Sequence, residues 1–240
     1  MIKAIIYDLD GTIVDSMSLL REVFKSLLRK FNIVKPNETD FSAYEQAIIS
    51  EGRKVFANPS KYGWIKFLWN VGKNLGLSRI NRLKFIRAMK QEYVKREGTI
   101  QTIEGAIEIV RNLHEKYKQG IVTYAKIKGT TKRLKRFGIY DAFDIILTAD
   151  KLAKLKIKSK PYPDPILFVI KQLESKPENT VVIGDMDVDI ISGKRAGCTT
   201  VGVLTGVSSK KDLEAAGADF VIESIKNFPD VLAQLDKNIY

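Results

Sequence analysis

Short apolar runs that stop on a polar residue set the rhythm of this chain. Residues 2–8 (IKAIIYD) predict a buried strand that closes on Asp8. No convincing strand pattern follows until about residue 98. Trp64, Phe67, Leu68 and Val71 fall at i, i+3, i+4 and i+7, one apolar stripe on a helix. Ile80, Leu83, Ile86 and Tyr93 predict a second stripe over residues 79–96. From residue 103 the grammar changes. Ile103, Ile107, Val110, Leu113 and Tyr117 have helical spacing, and GIVTYA then reads as a strand. TKRLKRFG is a helix closed by Gly138, FDIILT a strand, and DPILFVIKQL a helix with Pro165 in its first turn. TVVIGD, TTVGV and ADFVI are further strands. VDIISGKRAG and SIKNFPDVLAQL are the helices around them.

Strands that alternate with helices imply crossover units and a parallel sheet covered on both faces. The predicted layout is an α/β three-layer domain, residues 1–15 and 99–240, interrupted after its first strand by a small all-α unit, residues 16–98.

Charge sharpens the division. The chain has 240 residues and a net charge of +12. Residues 16–97 hold 17 Lys and Arg against 7 Asp and Glu, a balance of +10, whereas the remainder holds 23 against 21, a balance of +2. The excess suits either a surface that attracts anions or a solvated lysine-rich exterior, and the second reading covers most of these residues. Arg53, Lys54 and Arg87 are candidates for meeting an acidic substrate, with nothing to single them out. Hydrophobic residues at 45% and charged residues at 28% describe a folded, globular chain. No apolar stretch reaches about 18 residues, so no membrane span is expected. The N-terminus shows no secretory pattern. Cys198 is the sole cysteine, which excludes an intrachain disulfide and a cysteine-rich metal site. A reducing cytoplasm is the expected location.

The candidate chemistry collects where strands end. Asp8, Thr123 and Asp185 are each the first polar residue after an apolar run, and an open parallel sheet binds ligands beyond such ends. Asp8 and Asp10 have strand spacing, so their side chains can share a face. Asp185, Asp187 and Asp189 form a second acidic group. Two unit charges about 4 Å apart repel by about 4 kcal/mol at an effective dielectric of 20. Clustered carboxylates therefore call for a cation, and all-oxygen ligands without thiolates favour Mg²⁺. Lys160, ahead of two prolines in KPYPDP, adds an ammonium to the hydroxyl of Thr123. A hydroxyl, an ammonium and a divalent ion converging on one point make a phosphate site.

DLDGT (8–12), the run ending in Thr123, KPYPDP (160–165) and GDMDVDIISGKRAG (184–197) resemble, in order, the four motifs of the haloacid dehalogenase superfamily. The resemblance covers nearly the whole chain outside residues 17–98. The KPYPDP form and GVLTG near residue 205 look most like phosphoglycolate phosphatase and its relatives, the branch with a helical cap inserted after the first strand. The resemblance implies a Rossmann-like core and a phosphatase of small phosphorylated metabolites that works through an aspartyl phosphate. Asp8 would be the nucleophile and a metal ligand. Asp10 would protonate the leaving oxygen and later activate water, and its main-chain carbonyl would bind metal. Thr123 would hydrogen-bond the phosphoryl oxygens, Lys160 would balance Asp8 and the transferring group, and Gly11 and Thr12 would shape the turn beside it. Asp185 would bind Mg²⁺, and Asp189 would support the metal directly or through water. A phosphomutase would use the same residues. A basic nucleic-acid-binding protein is the weaker alternative. A monomer or homodimer is expected, with no membrane partner.

Two departures stand out. Tyr124 occupies a position where this branch often has Asn, and Glu104-Gly105 replaces the usual Pro-Gly. Asp15 reads as a helix cap or hinge residue, Asp187 as a cap or solvent-exposed residue beside the site, His114 as a packed or surface histidine, and Cys198 as a buried thiol. Trp64, Phe67 and Trp69 read as core of the helical unit.

Overall fold

The run IKAIIYD becomes the central strand of a parallel sheet in a computed structural model, which describes residues 1–34, 40–42, 44, 48, 51 and 63–237, the Trp64 side chain excepted. Arg53 and Lys54 lie outside the described residues. Strand β1 (Ala4–Tyr7) precedes a two-residue strand, β2 (Val14–Asp15). Helices α1 (Ser16–Lys30), α2 (Gly63–Asn74) and α3 (Arg79–Arg96) come next. Strand β3 (Gln101–Thr102) then pairs antiparallel with β2. Alternation follows with α4 (Ala106–His114), β4 (Lys118–Val122), α5 (Ile127–Arg136), β5 (Ile145–Leu147), α6 (Ala149–Leu155) and α7 (Asp164–Gln172). The chain continues through β6 (Thr180–Gly184), α8 (Asp187–Ala196) and β7 (Thr199–Val203). It ends with α9 (Lys210–Ala215), β8 (Phe220–Ile222) and α10 (Phe228–Lys237).

The main sheet runs β5-β4-β1-β6-β7-β8, with every pair parallel. The chain fills one side of β1 and then restarts on the other side at β6. Such a reversal opens a crevice at the carboxyl ends of the central strands. Register brings the three central strands level, since Tyr7 pairs with both Ile121 and Ile183. Asp8, Thr123 and Asp185 each stand one residue past the end of their strand.

β1 lacks polar alternation because it is buried on both faces. Ala4 and Ile6 pack with Val122, Val182 and the inward side of α7, Ile166, Val169 and Ile170. Tyr7 points into the opposite layer, edge-on to Phe143 at 5.9 Å and Phe228 at 6.3 Å between ring centroids. Its hydroxyl donates to Gln119 Oε1 at 2.6 Å, and Gln119 Nε2 donates to the carbonyls of Val110 and Ala142. The buried polar atoms of that layer thus satisfy one another.

Three elements depart from the sequence pattern. α4 begins at Ala106 rather than Ile103, because the Ile103 N–H bonds the Ile13 carbonyl beside the β2–β3 ribbon. α6 and α9 are short helices that each bury one leucine, Leu152 and Leu213, too little to leave a period in the sequence.

The chain forms two compact units, residues 1–15 with 101–240 and residues 16–100. In the second unit α1 buries Leu19, Val23, Phe24, Leu27 and Leu28, and α2 buries Phe67, Leu68 and Val71 as its stripe predicts. Trp69 is half-buried, with the Arg82 guanidinium 5.3 Å from its ring centroid. The stripe expected on α3 is only partly the buried one. Ile86 and Tyr93 are half-buried, but Ile80 and Leu83 are 67% and 61% exposed, and the buried residues are Phe85, Ala88 and Met89. Phe85 sets this face by packing edge-on against Phe24 and Phe31 at 6.0 and 5.5 Å. Among the described residues no helix is long and apolar enough to cross a membrane.

Candidate active site

Lys160 lies at the centre of the crevice. Its side chain is 3% exposed, and Nζ donates to Asp8 Oδ1 at 2.6 Å, Asp189 Oδ1 at 2.5 Å and the Val122 carbonyl at 3.0 Å. β1, β4 and α8 each supply one acceptor, so one ammonium reads the relative position of all three. Burial by itself would lower the Lys160 pKa, but the charges of Asp189 and Asp8 outweigh it and hold the ammonium above its ordinary value. The turn behind Lys160 is tied down by Tyr124, whose hydroxyl donates to the Lys160 carbonyl at 2.7 Å. The Tyr124 ring centroid lies 5.0 Å from the ammonium.

Asp8 is buried, and burial pushes its carboxyl up to about 7. Lys160 opposes that shift, and Asp189 and Asp10 add to it. Asp189 has both oxygens engaged: Oδ1 with Lys160, and Oδ2 accepting the Met186 N–H at 3.1 Å, which caps α8. Asp187 is half-buried at the first position of the same helix, and its own N–H donates to Ser208 Oγ. Thr123 is buried, and its Oγ1 accepts the Ala125 N–H at 3.1 Å, an arrangement that leaves the hydroxyl proton to donate.

Asp185 sits in a tight cradle. Oδ2 accepts the Val207 N–H at 2.9 Å, and the Asp185 carbonyl accepts the Ser208 N–H. Thr205 Oγ1 donates to the Gly11 carbonyl at 2.6 Å, which ties the loop after β7 to the turn after β1. A Cβ on Gly206 would lie 1.8 Å from Asp185 Oδ2, and one on Gly11, where φ is +90°, 2.7 Å from it. Both positions exclude a side chain for the sake of this carboxylate. Oδ1 is buried with no hydrogen-bond partner. Burial, then the charges of Asp8 and Asp189, hold the Asp185 carboxyl well above its usual range.

An orphaned buried carboxylate oxygen beside other carboxylates fits a hard cation. Asp8 and Asp185 are the carboxylates that could hold one, since Asp185 feels the charge of Asp8 and has an oxygen to give. Among the described residues no three His, Cys, Asp or Glu side chains form a ready-made metal cage. Asp189 and the Asp10 side chain are turned to cationic partners instead.

Asp10 carries the largest surprise. Arg133 Nη1 donates to Asp10 Oδ1 at 2.5 Å and Nη2 to Oδ2 at 3.3 Å, a two-pronged pair from α5. Arg133 is 7% exposed. In TKRLKR it looks like its exposed neighbours Lys132, Lys135 and Arg136. The structure shows otherwise: Thr130, Arg133 and Leu134 are all buried at i, i+3 and i+4, so the arginine occupies the inward face of its helix. Of the remaining candidates, Gly11 makes the turn, Thr12 is buried beside it, His114 is exposed and Cys198 is buried.

A family model for haloacid dehalogenase-like hydrolases matches residues 5–203. Pyrophosphatase PpaX of Anoxybacillus flavithermus is 28% identical over 234 residues, 96% of this chain and 97% of the relative. The crystal structure of a predicted phosphoglycolate phosphatase from Haemophilus somnus 129pt aligns with a TM-score of 0.73 at 20% identity, covering 96% of this chain and 98% of the other. The HAD-hydrolase YfnB of Bacillus subtilis, bound to magnesium, aligns with a TM-score of 0.74 at 18% identity, covering 97% and 99%. With a model match over most of its length, and with carboxylates and a lysine gathered at the carboxyl edge of a parallel sheet, this chain belongs to the haloacid dehalogenase-like hydrolases.

Proposed function

We propose that this hydrolase is a Mg²⁺-dependent phosphatase of small phosphorylated substrates. The observation that carries the reading is Lys160 fixed between Asp8 and Asp189, with the orphaned Asp185 Oδ1 in the same acidic group. One ammonium beside a nucleophilic carboxylate suits the charge of a phosphoryl group. Asp8 attacks phosphorus through a carboxylate oxygen, and the bond from phosphorus to the leaving oxygen breaks. Asp10 gives that oxygen a proton. Water then attacks the aspartyl phosphate, with Asp10 accepting the water's proton, and inorganic phosphate leaves. Thr123 and Lys160 hold the phosphoryl oxygens throughout. Asp8, Asp185 and the Asp10 carbonyl would hold Mg²⁺, which would supply charge neutralisation and a template for the phosphoryl oxygens.

The relatives called PpaX support a substrate such as pyrophosphate, and the phosphoglycolate phosphatase-like motifs support a doubly anionic ester. The test is phosphate release from p-nitrophenyl phosphate, pyrophosphate and 2-phosphoglycolate, with and without Mg²⁺, in the wild type and Asp8→Asn. Asp8→Asn is expected to fold normally and lose turnover. A variant that keeps near-normal rates refutes the nucleophile assignment.

A further inference from the structure

We propose that Arg133 is a specificity residue for the leaving group: its guanidinium takes an anionic oxygen of the leaving group when Asp10 turns from it to the reaction. This inference rests on the phosphatase reading above. Asp10 cannot remain as it stands and also serve the leaving oxygen. Both of its carboxylate oxygens are held by the Arg133 fork, at 2.5 and 3.3 Å. To reach a substrate atom, at least one oxygen has to leave its N–H. Arg133 does not follow easily, because it is buried on the inward face of α5.

In the phosphatase reading Asp10 is the group that meets the leaving oxygen, so the N–H groups it vacates are one side chain away from that oxygen. A buried donor stripped of an anionic acceptor costs more than the bond contributed. A leaving group with its own anionic oxygen supplies a replacement acceptor. A leaving group without one offers the vacated N–H groups no anion in return. Lys160 cannot fill this role, since Asp8, Asp189 and the Val122 carbonyl commit it to the transferred phosphoryl group.

Two buried hydroxyls near in the chain to this pair also lack a partner. Thr130 Oγ1 is buried without a partner, one turn before Arg133 on the same helix face. Thr12 Oγ1, two residues beyond Asp10, is likewise buried and unpartnered. The substrate class implied is a phosphate whose leaving group keeps a negative charge of its own, with pyrophosphate the simplest member. In that reaction an Asp8 oxygen bonds to one phosphorus and the bridging P–O bond breaks. The electron pair stays on the departing phosphate, which takes the Asp10 proton at the former bridging oxygen. Another of its oxygens accepts from Arg133. Asp10 then takes the proton of the water that hydrolyses the aspartyl phosphate. Once the second phosphate has left, Asp10 gives that proton to solvent and returns to the fork as a carboxylate.

The experiment measures kcat/KM with Mg²⁺ for inorganic pyrophosphate and for p-nitrophenyl phosphate, whose leaving group has no second anionic oxygen. The readout is the ratio of the two constants in the wild type, Arg133→Lys and Arg133→Met. A charge-assisted contact made by one leaving group only predicts a ratio falling about tenfold or more in Arg133→Met, with Arg133→Lys between. A ratio that stays constant, whatever the absolute rates do, overturns the proposal and leaves Arg133 as a support for Asp10. If Arg133→Met fails to fold, the Arg133→Lys ratio decides. Wild-type protein that cleaves the aryl ester but not pyrophosphate overturns this inference alone, whereas protein that cleaves no phosphate overturns the function beneath it as well.

Discussion

Replacing Lys160 with methionine isolates the electrostatics of the site. Lys160 is 3% exposed, and its ammonium bonds two carboxylates that are themselves buried. Methionine keeps the unbranched stem and removes the charge. Asp8 and Asp189 then face each other, with Asp185 close by, and none has the ammonium as partner. Removing one member of a buried ion pair costs about 3–5 kcal/mol, chiefly because the other member stays buried and uncompensated. For a protein of this size each kcal/mol moves Tm by about 2–4 °C, so Lys160→Met should melt about 6–20 °C lower near neutral pH. The assay is thermal unfolding followed by circular dichroism, without metal. Two companions test the cause. The deficit should shrink in acid, where protonated carboxyls no longer need a counter-charge. Asp189→Asn in the Lys160→Met background should restore part of the loss, because it removes one of the stranded charges. A loss below about 1 kcal/mol, the range of an exposed ion pair, would refute the reasoning.

Two further outcomes follow from the same physical chemistry. Asp8, raised to about 7, and Asp185, raised in the same direction, bind protons more tightly folded than unfolded, so they make the metal-free protein less stable as pH rises from about 4 towards 7. If Asp8 and Asp185 hold Mg²⁺ as proposed, binding needs them ionised, so saturating Mg²⁺ should raise Tm more near about pH 8 than near about pH 5, and equal increments would refute that assignment. Burial, with the charge of Glu178 adding to it, pushes the Cys198 thiol up to about 12. A disulfide reagent at about pH 8 should therefore leave native protein unmodified and label it only in denaturant, and rapid native labelling would show the thiol to be accessible.

How far the chain could be read residue by residue depended on whether a feature was written between neighbours or between distant segments. Asp8, Thr123 and Asp185 were legible because an apolar run followed by one polar residue marks a strand and its end, and strand ends of a parallel sheet meet at one edge. The inward face of α2 was legible for the same reason, since Phe67, Leu68 and Val71 lie within one period of each other. α3 was less so. It has apolar residues on several sides, and Phe24 and Phe31 of the chain before it chose Phe85 over Leu83.

The site shows the limit most clearly. The residues of the acidic motifs and Lys160 as a counter-charge to Asp8 were visible in the sequence, but Arg133 as the partner of Asp10 and Asp189 as a second partner of Lys160 were not. Arg133 meets Asp10 across 123 residues, Lys160 meets Asp8 across 152, and Thr205 reaches Gly11 across 194. GVLTG could be quoted as a motif without its use being visible, which is to cradle Asp185 between two positions that exclude a side chain. Local patterns alone determined the alternation of strands and helices and which residues stand at strand ends, because periodicity is a property of adjacent residues. Only the tertiary structure decided that Arg133 answers Asp10 and that Asp189 shares Lys160 with Asp8, because those pairings depend on the order in which crossovers lay strands beside β1, and no short stretch of chain encodes that order.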